Sequence, residues 1–306
     1  MNDRDLLALM REAAAAAGVT PREFFLPQDK YAFVNGLRLH YLDWDSSTKP
    51  PILLLHGIRL QAHTWDMAAL LLRDHYHLVA LDQRGHGDSD WNSDEQMSLD
   101  TFDLMLEDAR QLVEHLGWKK FVLVGMSMGG ITAIRYAARF PERLLALNLV
   151  DIAPQTLRAG VLEMDGFKRE TELLSRFEDF VERSHKFMPH RPVAQLRYSL
   201  LHSLKQLPEG QWTWKQDHRP GAVRSTVPLA NLWNELPKIT VPTLLMRGAQ
   251  SNVLAEDTAQ RALSMLPMGK LVTIDPATHN VHSDNPNAFA RELHLFLQGA
   301  LPKSVD

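Results

Sequence analysis

From residue 51 onward the chain alternates short, wholly apolar runs with longer segments in which apolar residues recur every three or four positions. The runs are PILLLHG (51–57), HLVALDQRGHG (77–87), KFVLVGMSMGG (120–130), LLALNLVDIAP (144–154), TLLMRG (243–248) and KLVTIDPA (270–277). A strand covered on both faces shows no polar alternation, so these runs predict buried parallel strands. Between most of them lie helical patterns, such as 98–117 and 129–140. This alternation predicts an α/β fold, a mostly parallel sheet flanked by helices. Upstream, YAFVNGLRLHYLDWD (31–45) reads as two β runs about Asn35-Gly36, a hairpin turn, which brings the sheet to eight strands. Residues 3–17 carry Leu6, Leu7, Leu9, Met10 and alanines at helical spacing and stop at Gly18, an amphipathic helix added before the main domain.

The alternation lapses between about 155 and 237. That stretch is rich in charge and aromatics, including Phe167, Phe177, Phe180, Trp212, Trp214 and Trp233, and shows helical periodicity without a convincing apolar strand. An insertion that follows a strand lies at the C-terminal edge of the sheet, where open α/β folds bind ligands. The expected organisation is an N-terminal helical extension (1–28), a core domain (29–154 and 238–306) and a helical lid (155–237).

Composition narrows the function. With 306 residues, 45% apolar and 23% charged, the chain can bury a large core, and its net charge of −4 offers no basic footprint for nucleic acid. It has no cysteine, which excludes disulfides and thiol chemistry and suits a reducing compartment. The N-terminus mixes acids and arginines into its apolar residues, unlike a signal peptide, and no stretch approaches 18 apolar residues. A cytoplasmic protein with a small-molecule partner is expected, without nucleic acid or membrane. A homodimer is compatible with the pattern and not required by it.

The chemistry centres on VLVGMSMGG, where Gly125 and Gly129 flank Ser127 at −2 and +2, a strand enters and a helix leaves. A serine on so tight a turn needs small neighbours, and the turn lifts its hydroxyl above the sheet at a helix N-terminus. A serine that merely capped the helix would need neither glycine. HGIR (56–59), DQRGHGDSD (82–90) and GMSMGG (125–130), followed by a lid and a late histidine, resemble an α/β-hydrolase from about residue 25 to the end. Met126 stands where that family usually has histidine.

The resemblance implies an oxyanion hole formed by the backbone N–H groups of Ile58 and Met128, and makes His279, in DPATHNVHSDNPNAF, the general base. His282 is then a neighbour in the same loop, and His56 and His86 are structural. DQRGHGDSD reads as a self-satisfied loop in which Asp82, Arg84 and Asp88 pair internally. His75 and His77 share a strand face with no acid or cysteine at ligand spacing, so no metal site is expected. His63 and Trp65 open a helical pattern, with Trp65 in the core.

The third member is the difficulty. The loop in MRGAQSNVL (246–254), which commonly supplies the acid behind the histidine in this fold, holds no acid. Asn252 carries no charge, and Glu256 and Asp257 open a helix. Asp151 ends the strand after the nucleophile's helix and keeps the serine–acid–histidine chain order, so it is the expected acid. Arg59 and Trp214 are the expected substrate contacts, with Arg59 either meeting a substrate carboxylate or pairing with an acid. The whole reads as a serine hydrolase of a small carboxylic ester or lactone, working through an acyl-enzyme without metal or cofactor. Two alternatives are hydrolysis of a C–C bond in a ring-cleavage diketone and a non-catalytic hydrolase-fold receptor.

Overall fold

The computed structural model describes residues 2–44 and 48–301. Asp45, at the end of the expected hairpin, and residues 302–306 of the expected core segment lie outside the described residues. The strands run β1 Gln28–Val34, β2 Leu37–Asp43, β3 Pro51–Leu55, β4 His77–Leu81, β5 Phe121–Met126, β6 Leu144–Val150, then, in the insertion, β7 Leu173–Leu174, β8 Leu204–Gln206 and β9 Trp212–Trp214, and finally β10 Thr243–Gly248 and β11 Gly269–Ile274. Eight of them form one sheet in the order β1-β2-β4-β3-β5-β6-β10-β11. β1 and β2 pair antiparallel, as do β2 and β4, and the remaining pairs are parallel. The hairpin turns on Asn35 and Gly36, both at positive φ (49° and 76°), a geometry that these two residue types tolerate best.

The helices are α1 Asp3–Ala16, α2 Asp66–Leu72, α3 Thr101–His115, α4 Met128–Arg139, α5 Arg158–Glu170, α6 Phe177–Phe187, α7 Val193–Ser203, α8 Glu256–Met265, α9 Val281–Asp284 and α10 Pro286–Ala300. α2 and α10 cover one face of the sheet, and α3, α4 and α8 the other. In β3, Ile52 and Leu54 join a cluster with Leu70 of α2 and Phe289 of α10, while Leu53 and Leu55 join another with Leu112 of α3, Ile134 of α4 and Ala259 of α8. Successive strand residues point to opposite faces, so a run with no polar residue is what two covered faces require. Each fully buried leucine of this kind contributes about 1.5–3 kcal/mol.

The insertion is not wholly helical. Besides α5, α6 and α7 it contains β7, β9 and β8, a small antiparallel sheet in that order. Strands of two or three residues are too short for a period-2 pattern to register, which is why the sequence shows only helices there. Phe180, Val181, Leu200 and Leu204, with Trp212 and Trp214 packed against them, give this unit its own small core. It is tied to the loop that follows β4 through backbone bonds from Gly87 N to Lys215 O (2.8 Å) and from Asp217 N to Gly85 O (2.7 Å). α1, capped by Asn2 accepting from Asp5 N, packs along α7 and buries Met10, Ala13 and Ala14.

Two further expectations are corrected. The loop at 82–90 bonds to itself through its backbone, as in Gly85 N to Asp90 O (3.0 Å) and Asp88 N to Asp82, but its charged side chains do not pair with one another. Arg84 makes a bidentate bond to Asp108 of α3 (Nε and Nη2, both 2.6 Å), and Asp88 pairs with Lys215 of the insertion (2.7 Å). Asp82 instead accepts from Ala62 N (2.6 Å) and Asp88 N (2.9 Å) and bonds His40 (2.7 Å). A buried guanidinium must find a carboxylate wherever the fold brings one, and local sequence does not reveal a partner on another element. His75 precedes β4 rather than sharing its face, and His77 bonds Asp43 of β2 (2.8 Å), an acid that spacing within its own strand could not show. Trp65 is fully buried, as expected.

Candidate active site

Ser127 sits between β5 and α4 with φ 49° and ψ −112°. A non-glycine residue in that region carries about 1–3 kcal/mol of strain, so the surroundings must over-determine it. They do: Ser127 N donates to Val150 O (3.2 Å) and Gly129 N donates to His56 O (3.1 Å). A Cβ on Gly125 would stand 2.4 Å from Gly129 O, and one on Gly129 would stand 2.3 Å from Leu55 O. The glycines at −2 and +2 are therefore steric necessities of a turn pressed between β3 and α4.

Met126 pairs with Val150, and Val150 pairs with Met246, so β5, β6 and β10 reach the same edge in register. Asp151 is the first residue beyond β6, also at positive φ (50°), and fully buried. Its Oδ2 lies 2.7 Å from His279 Nδ1 and accepts from the Ser251 hydroxyl at 2.5 Å, and its Oδ1 accepts from Gly248 N at 3.0 Å. With Nδ1 turned to the carboxylate, the ring's Nε2 is left as the acceptor. Ser127 and His279 line one cavity of about 120 Å³. No hydrogen bond joins Ser127 Oγ to the ring among the described residues, a looseness common in unliganded sites.

The remaining expected residues fall as follows. Ile58 borders the cavity and Met128 opens α4, and their N–H groups donate to no backbone carbonyl among the described residues. Arg59 lines the cavity but is paired, its Nη2 with Asp165 Oδ1 (2.6 Å) and its Nη1 with Met164 O (2.7 Å). Trp214 lines it too, with Nε1 donating to Thr171 O (2.8 Å). Asn252 turns away to Glu163 of α5 (2.6 Å), Glu256 pairs with Arg247 (3.3 Å), and Asp257 accepts from Thr258 N. Among the described residues none of the three makes a hydrogen bond or ion pair with His279.

The other histidines of these motifs are built into the frame. His56 is fully buried, its Nε2 accepts from Gln83 N (3.0 Å), and burial pushes it below its ordinary value. Burial, with His56 nearby, holds His86 down to about 3. His282 bonds Thr64 (3.0 Å) and is likewise pushed down to about 3, by burial and then by the Arg191 cation. Sequence reasoning missed Ser251 and the cavity residues Lys168 and Arg191. The only trace of Ser251 is the polar tip Gln250-Ser251-Asn252 of the acid-free loop.

A serine at a strained strand-to-helix turn, on a parallel sheet of this order and beside a carboxylate-bound histidine, defines a hydrolase-fold protein. The chain belongs to the alpha/beta hydrolase fold family, whose model matches residues 50–286. Over 292 residues it is 31% identical to the esterase Rv0045c of Mycobacterium tuberculosis, an alignment that covers 93% of each chain. A crystal structure of that M. tuberculosis esterase superposes with a TM-score of 0.76 at 27% identity, covering 97% of this chain and all of the other. The bifunctional esterase/perhydrolase DCH of Acinetobacter calcoaceticus is 25% identical, over 86% of this chain and 97% of its own.

Proposed function

We propose that the protein is an ester-hydrolysing enzyme in which Ser127 is the nucleophile, His279 the general base and Asp151 the acid that orients it. The ester class rests on the 31% identical esterase and its structure. The observation that carries the serine mechanism is the 2.7 Å bond between His279 and a fully buried Asp151, beside a strained serine on the same cavity. Ser127 Oγ attacks the ester carbonyl carbon while His279 Nε2 takes its proton, and Asp151 stabilises the imidazolium. The carbonyl oxygen becomes an oxyanion received by the Ile58 and Met128 N–H groups, donors of a kind each worth about 10²–10³ in rate. Collapse expels the alcohol, which takes the proton from His279. Water then repeats the sequence on the acyl-enzyme and releases the acid. The segment 155–237 acts as a lid, since Met164, Phe167 and Trp214 from it wall the cavity.

Ser127→Ala tests the reading: turnover of a short p-nitrophenyl ester falls by about 10³ or more with the fold intact. Retention of a tenth of wild-type kcat sinks it. Labelling of wild-type protein, and not of the variant, by a fluorophosphonate separates an enzyme from a receptor of the same fold.

A further inference from the structure

The cavity that Ser127 opens into carries unbalanced charge. Arg59, Lys168 and Arg191 line it, and no aspartate or glutamate does among the described residues. Arg59 is held by Asp165, and Arg191 Nε by Asp284 Oδ1 (2.6 Å). Each arginine keeps a buried donor in reserve: Arg59 Nε and Arg191 Nη2 have no acceptor among the described residues. Asp284 is already committed, since its Oδ1 also meets His190 (3.1 Å) and its Oδ2 takes Thr278 N (2.9 Å) and the Thr278 hydroxyl. Arg191 is only 7% exposed.

Lys168, from α5, has no hydrogen bond or ion pair to its ammonium group among the described residues, and Glu172 and Asp165 act on it only at longer range. Burial, and then the Arg59 cation, push its amine below the ordinary lysine value, as happens to a cation short of counter-charge. Ser184, 1% exposed and also lining the cavity, has an unpartnered hydroxyl. Since more than about nine in ten buried polar groups in folded proteins are paired, several unpaired donors around one cavity call for an acceptor. The Lys168 ammonium, the cation left without a carboxylate partner among the described residues, calls for an anion. Much of the remaining lining, such as Met126, Phe187, Met188 and Leu196, is apolar and suits a hydrocarbon stem.

We propose that the ester this enzyme takes carries a carboxylate, received by Lys168, Arg191 and Ser184. The inference rests on the reading of Ser127 as nucleophile. Lys168, with Ile58 and Arg59, also walls a second cavity of about 220 Å³, so the charge is tested on both halves of the ester.

The test is a ratio of kcat/KM values. On the acyl side, p-nitrophenyl half-esters of succinate, glutarate and adipate are compared with the neutral butanoate, pentanoate and hexanoate. On the alcohol side, 3-carboxyphenyl butanoate is compared with phenyl butanoate. The charged member is favoured at least tenfold in one arm. That ratio falls at least tenfold in Lys168→Met, which breaks no bond within the protein, and holds in the exposed control Lys119→Met. A ratio below ten in both arms, or one that survives Lys168→Met, overturns the proposal.

Calorimetry on Ser127→Ala with methyl hydrogen glutarate separates this from the mechanism. Binding that Lys168→Met weakens at least tenfold, in a protein that cleaves none of the esters, upholds the anion site and removes the nucleophile reading. Ser127-dependent cleavage without charge preference does the reverse, and neither binding nor cleavage overturns both.

Discussion

Three donors converge on the carboxylate behind His279: the imidazole itself, the Gly248 N–H and the Ser251 hydroxyl. If Asp151 orients His279 as proposed, Asp151→Asn loses about 10³–10⁴ in kcat, because an amide offers the imidazolium no charge. Asn252→Ala loses little, since its side chain bonds Glu163 of the insertion. Ser251→Ala falls between them. A hydrogen bond to a charged group is worth about 1.5–3 kcal/mol, so kcat drops by about 10–100-fold with KM nearly unchanged. Unchanged kcat in Ser251→Ala would show that the hydroxyl serves the loop alone, through its bonds to Val253 N and Leu254 N. Asp151 was legible from what the loop at 249–254 lacks. Ser251 was not, because a hydroxyl's partner depends on where two distant loops meet.

Among the elements, the N-terminus of α3 joins two parts of the molecule. Asp100 caps it, accepting from Phe102 N (3.0 Å), and the same carboxylate takes Arg135 Nη1 (2.8 Å) and Thr226 N (2.7 Å) from the end of the insertion. Asp100→Ala removes a cap worth about 1 kcal/mol and takes from the buried Arg135 the nearer of its two carboxylates, so a loss of about 3 kcal/mol is expected in urea denaturation. A change below about 1 kcal/mol would show that the existing bond to Asp103 (3.1 Å) suffices for Arg135.

The large sheet and its helices were readable because continuous apolar runs and 3.6-residue periods are properties of single segments. The small sheet of the insertion was not, since its pairing joins strands of two or three residues, Leu173–Leu174 to Trp212–Trp214 and on to Leu204–Gln206. The partners of Arg84 and His77 were hidden for a similar reason, each lying on another element.

Over the whole molecule, buried titrating groups pull stability down from both ends of the pH scale. Burial lowers His40, but its bonds to Asp29 and Asp82 outweigh it and raise the group from 6.5 to about 9. Its contribution is complete below pH 6.5 and is lost as pH rises through 9, on the order of 3 kcal/mol. His86 and His282, held down to about 3, act in the opposite direction: their contribution is complete above 6.5 and is lost as pH falls toward 3. For Asp82 and Asp100, burial opposes ionisation, but their bonds prevail and lower both to about 2, so they lose their share below about 3.8. Thermal melts across pH 4–10 are therefore expected to give a maximum Tm near pH 6.5, with the alkaline limb flattened in His40→Gln. A Tm still climbing at pH 9 would contradict this.

α1 and the helix it lies along, α7, are separated in the chain by everything from residue 17 to residue 192. On a ribosome adding about 5–20 residues per second, α1 emerges on the order of 10–35 s before its partner exists. During that interval the apolar stripe around Met10, Ala13 and Ala14 lacks the cover that α7 gives it. The nascent chain thus carries an apolar face whose burial only later synthesis completes. A translation product arrested before residue 193 would leave that burial incomplete.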